Sequence, residues 1–118
     1  MNLTGTYTLV SGQRNGKDLP PERVQNTTVK FTETEVTVTN QDHGDIYVAT
    51  YVLDGDANPC PVTMTATRAP DSGDVVEGLI EQIGDSVRLI YALPGQPAPT
   101  DFQTKPGELL FVMTNFNR

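Results

Sequence analysis

The sequence has no tryptophan, one cysteine (Cys60) and one histidine (His43). A single cysteine excludes an internal disulfide and a cysteine-rich zinc site, and a single histidine excludes the paired-histidine metal motifs. The phosphate-binding patterns G-x-x-x-x-G-K and G-x-G-x-x-G are also missing. We therefore expect neither a metal nor a nucleotide cofactor.

Basic residues are scarce, with 8 Lys and Arg against 15 Asp and Glu and a net charge of −7. An acidic surface argues against nucleic acid and against anionic membranes, and it favours solubility. No apolar run approaches the ~20 residues of a membrane span, so membrane insertion is not expected. The first residues do not show a signal-peptide pattern. We expect a cytoplasmic protein if Met1 is the native start, and an exported one if a leader has been removed.

Long helix-forming stretches are missing as well, and short segments with period-two alternation take their place. Such alternation, rich in threonine and valine, is typical of half-buried strands, and a chain of this length makes one domain, residues 1–118. The eight predicted strands are residues 3–10, 27–32, 35–39, 45–53, 62–67, 75–83, 86–93 and 108–116. Sequential strands with short connections predict an all-β fold, an antiparallel up-and-down eight-stranded barrel.

Three connections have distinctive compositions. Residues 11–26 contain two glycines and two prolines, which predicts a long loop with Leu19 plugging one end of the core and one helical turn after the prolines. Gly84-Asp85 predicts a two-residue hairpin. Residues 94–106 contain four prolines, too many for a strand, so we expect a loop anchored by Phe102.

Four segments together resemble a planctomycete lipocalin-like domain family: LTGTYTLVSGQRNGKDLP, VKFTETEVTV, GLIEQIGDSVRLIY and PGQPAPTDFQTKPGELLFVM. The resemblance covers nearly the whole chain and implies a calycin-type, lipocalin-like barrel. It implies no activity, because that family is largely uncharacterised. Tyr7 stands where the family usually has tryptophan, so the resemblance implies that Tyr7 lies buried at one barrel end against the last strand. In lipocalins a basic residue from the final strand packs on this tryptophan, and Arg118 is the only basic residue after Lys105 here.

One segment has the spacing of a calcium loop. Asp54, Asp56 and Asn58 form D-x-D-x-N, but Pro59 and Thr65 occupy the positions that require glycine and glutamate. A turn stabilised by these short polar side chains is the better interpretation.

Catalytic constellations are equally weak. Glu77 and Glu81 lie about 13 Å apart along one strand, too far for a cooperating carboxylate pair. We expect Arg88 on the outer face, paired with one of them. His43 lies in a polar turn, and Cys60 lies between two prolines as an inert loop cysteine. The chain is therefore not expected to be an enzyme.

Three functional hypotheses remain. The first is a non-enzymatic binding module that holds a small, largely apolar ligand inside the barrel. The second is a structural or protein-interaction domain with a filled core, acting through an outer surface such as the Tyr47/Tyr51 face. The third is a hydrolase or isomerase with a grafted site, since fold alone never excludes one. A cavity above ~300 Å³ would favour the first. The side chains expected to form the interior walls are Tyr7, Val29, Phe31, Val48, Met64, Ile80, Leu89, Tyr91, Phe111 and Met113, with Gln82 as a polar member.

Overall fold

Nine strands and one helical turn follow one another in the computed structural model, which describes residues 3–41, 44–67 and 73–115. Their bounds are β1 Gly5–Arg14, β2 Lys17–Asp18, α1 Pro21–Val24, β3 Thr27–Phe31, β4 Glu35–Asn40, β5 Gly44–Leu53, β6 Cys60–Ala66, β7 Val75–Ile83, β8 Ser86–Ala92 and β9 Glu108–Asn115.

The strands form a closed antiparallel barrel. From β3 to β9 each strand pairs with the next along the chain, while β1 pairs with both β3 and β9 and closes the ring. The short β2 lies outside this ring and pairs with β1. The predicted up-and-down eight-stranded barrel is therefore confirmed, with one additional strand. Closure pairs the backbone groups that an open sheet would leave exposed at its edges.

The alternation predicts the buried face correctly in most strands. In β7, Val76, Gly78 and Ile80 are buried and Glu77 is exposed, which confirms a strand where a helix was conceivable. The Gly84-Asp85 hairpin is also confirmed, because Ile83 pairs with Ser86 across it.

The prediction of a continuous loop over residues 11–26 is wrong in its first half. A register shift between Leu9 and Ser11 adds a bulge to β1, after which the strand continues to Arg14. The chain then turns through Asn15 and Gly16, both with positive φ (54° and 80°), into β2. Asn-Gly is the strongest short hairpin signal, and it was present in the sequence. The helical turn predicted after the prolines is confirmed as α1.

The orientation assigned to β5 is also wrong. We expected Val48 inside and the Tyr47/Tyr51 face outside. Instead Ala49 and Tyr51 are buried in the core and Tyr47 packs against it, whereas Val48 lies half-buried on the outer face. Both faces of β5 are apolar, so alternation does not distinguish inside from outside.

One end of the barrel is closed by three aromatic rings. The Phe31 ring meets Tyr7 and Tyr51 edge to face, at centroid distances of 5.7 and 5.5 Å. Tyr7 is 2% exposed, pairs with Asn115 of β9, and donates its hydroxyl to the Leu3 carbonyl at 3.0 Å. The predicted burial of Tyr7 against the last strand is thus confirmed. Arg118, its suggested basic partner, lies outside the described residues.

The two tyrosines at this end predict a loss of stability in alkali. Burial raises the pKa of Tyr7 above its ordinary 10.0, against a smaller lowering by a hydrogen bond with Gln82. Burial also raises the pKa of Tyr51, with the charges of Tyr7 and Glu33 adding to it. Because the folded state holds these protons more tightly, their contribution is complete below pH 10 and is lost as pH rises through the folded pKa values.

We therefore expect the free energy of unfolding in urea to fall above pH 10, by up to about 1.4 kcal/mol per pH unit for each tyrosine. Replacing Tyr7 and Tyr51 by phenylalanine keeps the rings and should flatten the curve between pH 9 and 11. A wild-type curve that is already flat there would contradict the assignment.

The proline-rich segment covers one outer face of the barrel. Ile90 and Leu110 point outward, yet they are 0% and 8% exposed. Phe102 of the segment lies under the Arg88 guanidinium, 4.3 Å from its carbon to the ring centroid, and Arg88 pairs with Glu81. Phe102 is therefore the anchor that the sequence predicted, and Arg88 is on the outer face as expected.

Candidate functional site

A cavity of about 260 Å³ opens at the barrel end opposite the aromatic cluster. It lies where β1 ends and β9 begins. In the described chain, every strand of the closed ring except β7 contributes a side chain to its wall. The lining residues are Leu9, Arg14, Leu19, Thr27, Val29, Val36, Val38, Tyr47, Met64, Leu89, Tyr91, Leu109, Phe111 and Met113.

The floor of this cavity is apolar and buried. Val29, Val36, Met64, Leu89 and Met113 are each 5% exposed or less. Val36 and Met64 pair directly with Phe31 and Tyr51 of the aromatic cluster. Val29 lies two residues from Phe31 along β3, and Met113 pairs two residues beyond Tyr7, so the packed half of the barrel forms the base. A site lined in this way attracts apolar groups and gives water few hydrogen-bonding partners.

The mouth is lined by aromatic side chains that are only partly buried. Tyr91 and Phe111 stack with their centroids 6.0 Å apart and their planes at 24°, and both are half-buried. Tyr91 pairs with Gly78, whose lack of a side chain leaves the space that the Tyr91 backbone occupies. Tyr47 completes the aromatic part of the rim.

The segment after β2 narrows the opening. Leu19 packs on Gly12, where a Cβ would lie 2.6 Å from the Leu19 Cδ1 atom. The Leu19 amide donates to the Gly12 carbonyl at 2.9 Å, which fixes the segment over β1. Val24 of α1 packs against the core cluster. The prediction that Leu19 lies at one end of the core is confirmed, and its side chain covers part of the cavity opening.

Arg14 is the one charged side chain among the described lining residues. It pairs with Leu109 on β9 and with Lys17 on β2, so both cations project from the cavity side of the hairpin. Neither forms an ion pair with another described residue. Asp18 bonds to Gln13 on the opposite face of the hairpin.

The structure divides the predicted wall residues into three groups. Those that line the cavity are Val29, Met64, Leu89, Tyr91, Phe111 and Met113. Tyr7, Phe31, Ile80 and Gln82 point inward but belong to the packed end. Val48 is on the outer face, so its assignment as a wall is wrong.

The lining residues that sequence reasoning missed are Leu9, Arg14, Thr27, Val36, Val38, Tyr47 and Leu109. Most had a usable signal, because they alternate with outward residues on strands already identified. Arg14 had none, since the bulge in β1 changes which positions of that strand face inward.

The volume falls just below the ~300 Å³ that we set as the criterion for ligand binding. The barrel is neither hollow nor filled, because its aromatic half is solid and its other half is open. The cavity thus has room for a ligand smaller than a drug-sized molecule.

Other candidate chemistry finds no support in the described residues. Asn58 uses its amide to bond the Gln82 backbone, at 2.8 Å to the carbonyl and 3.1 Å from the amide nitrogen. Cys60 is fully buried at the start of β6, so its assignment to a loop is wrong. No group of three metal-ligating side chains occurs in the described ranges, and His43 lies outside them. No described helix has the length and apolar character to cross a membrane.

Comparison with protein-family models, with curated proteins and with solved structures found no match to this chain.

Proposed function

We propose that this chain is a non-enzymatic binding module that holds one small, largely apolar ligand in the open half of its barrel. The observation that carries the proposal is the 260 Å³ cavity with a buried apolar floor. A domain selected only for stability gains by filling such a space, because each missing methyl group costs about 1 kcal/mol. An open cavity with access to solvent is therefore an argument for an occupant.

The volume limits the size of that occupant. An apolar cavity of about 150 Å³ accommodates benzene, with six carbon atoms. By the same ratio, 260 Å³ accommodates about ten non-hydrogen atoms. Burial of each methylene contributes about 0.8 kcal/mol, offset by the entropy lost on binding. We expect dissociation constants between about 100 μM and 1 mM for an eight-carbon chain.

The methionines provide a direct measurement of binding. Of the three methionines, Met64 and Met113 line the cavity floor, and Met1 lies outside the described residues. In protein with ¹³C-labelled methionine methyl groups, we expect titration with 1-octanol to shift the Met64 and Met113 signals saturably. Unchanged signals up to the solubility limit of octanol would overturn the proposal.

A matched pair of variants tests the location. Val38 lines the cavity, whereas Val48 lies half-buried on the outer face of the adjacent strand. Val38→Trp fills much of the cavity and should weaken octanol binding at least about tenfold, since the ligand loses most of its buried contacts. Val48→Trp adds the same side chain outside the barrel and should leave binding within about twofold. Equal effects of the two variants would contradict binding inside the barrel.

The resemblance to the planctomycete lipocalin-like family stays a prediction beside this proposal, and a closed eight-stranded barrel is the architecture that it implies. The alternative of a protein-interaction domain used the Tyr47/Tyr51 face as its outer surface, but these side chains pack in the core. The exposed large apolar side chains of the described residues are Val10 on β1, Val52 on β5, and Val75 and Ile83 at the two ends of β7. Scattered exposed residues of this kind are normal on soluble domains.

A further inference from the structure

We propose that the ligand is an amphiphile with an anionic head group, whose apolar tail lies in the cavity while Arg14 and Lys17 hold the head at the mouth. This inference rests on the proposed function and names the ligand class of the same site. It follows from where the few cations of an acidic chain are placed.

Arg14 lies where a head group would emerge. Its partner on β9, Leu109, is a cavity-lining residue, and paired residues of an antiparallel ladder share one face. Arg14 therefore lies on the cavity side of β1 at the mouth, and its side chain is exposed to solvent. The floor below it is apolar. A ligand that places a tail against the floor therefore brings its other end to the guanidinium.

Lys17 strengthens the positive charge at this point. It is directly opposite Arg14 across the β1–β2 hairpin, an arrangement in which like charges repel. The chain has a net charge of −7, so carboxylates to neutralise the pair are abundant in the sequence. Even so, no described carboxylate pairs with either cation, and the nearest along the chain, Asp18, bonds to Gln13 on the other face. An anionic ligand would relieve this repulsion.

The size limit makes octanoate a suitable probe, because it has about ten non-hydrogen atoms, the number estimated for the cavity. Octanol and octylammonium also have eight carbon atoms, with a neutral and a cationic head group in place of the carboxylate. At pH 7.4 we expect octanoate to bind most tightly and octylammonium most weakly, although the net charge of the protein favours the cation. Added salt should weaken octanoate binding and leave octanol binding nearly unchanged.

Variants of Arg14 at the mouth and of Arg88 on the outer face distinguish head-group binding at the mouth from a general effect of surface charge. Arg14→Gln should weaken octanoate binding about five- to tenfold and octanol binding less than twofold, since a charge-assisted contact is lost only with the anion. Arg14→Lys keeps the charge and should restore most of the affinity. Arg88→Gln, which removes an arginine from the outer face, should leave both ligands unaffected.

The methionine methyl signals report on each titration and separate the outcomes. If none of the three ligands shifts Met64 and Met113, the proposed function fails and the inference fails with it. If octanol binds in the cavity but octanoate binds no more tightly, or if Arg14→Gln weakens both equally, the inference alone is overturned. Tightest binding of octylammonium would overturn it as well.

Discussion

Gly78→Ala should destabilise the barrel by about 3 kcal/mol or more. A Cβ at this position would lie 2.1 Å from the Ile90 carbonyl oxygen and 2.9 Å from the Tyr91 Cβ. The first of these atoms belongs to the backbone of the neighbouring strand, so no side-chain rotation relieves the clash. Either β7 and β8 separate or their ladder distorts, and overpacking of this severity exceeds the usual 1–3 kcal/mol. For a domain of this size, 3 kcal/mol corresponds to a melting temperature about 12 °C lower.

Gly84→Ala is the matched control. Gly84 has a positive φ of 57° but open space around its Cβ position, so alanine there meets backbone strain without a steric clash. That strain costs about 1 kcal/mol. Urea unfolding of both variants separates the two effects. A Gly78→Ala variant as stable as Gly84→Ala would mean that β7 and β8 are further apart than the structure shows.

The sequence predicts the architecture well where one face of a strand is clearly polar. β6 alternates valine, methionine and alanine with threonine, and its buried face follows directly. The buried face of β5 cannot be predicted in this way, because the valines on one face and the tyrosines on the other are equally apolar. Pairing with β4 determines which face of β5 is inside, because residues opposite each other share one face of the sheet. Val38, which packs against the core, is opposite Tyr47, whereas Thr37 is opposite Val48. Such register information is not contained in the alternation of a single strand.

The site is harder to predict than the fold for a related reason. Alternation indicates whether a side chain points inward but not at which end of the barrel it lies. Tyr7 and Phe31 fill the closed end, whereas Val29 and Phe111, with the same alternation, face the cavity. The bulge in β1 adds a second difficulty, since it changes the inward positions beyond Leu9 and brings Arg14 to the mouth.

One barrel end is closely packed and the other is open, so removing a phenylalanine ring should cost much more stability at the packed end. Phe31→Ala should cost about 4 kcal/mol, because Phe31 is 2% exposed and its ring contacts both Tyr7 and Tyr51 edge to face. Removing it leaves a hole that closely packed neighbours cannot fill. Phe111→Ala should cost about 1–2 kcal/mol, because that ring is half-buried beside a space that is already open.

Urea unfolding of the two variants, with Phe31→Leu as a control that keeps most of the volume, measures this difference. Phe31→Leu should lose about 1–2 kcal/mol, since it removes the edge-to-face contacts but fills much of the space. Equal costs for the two alanine variants would mean that the cavity end is packed as tightly as the aromatic end. The barrel would then have no room for a ligand. The stability of Phe111→Ala therefore tests the binding hypothesis without any ligand present.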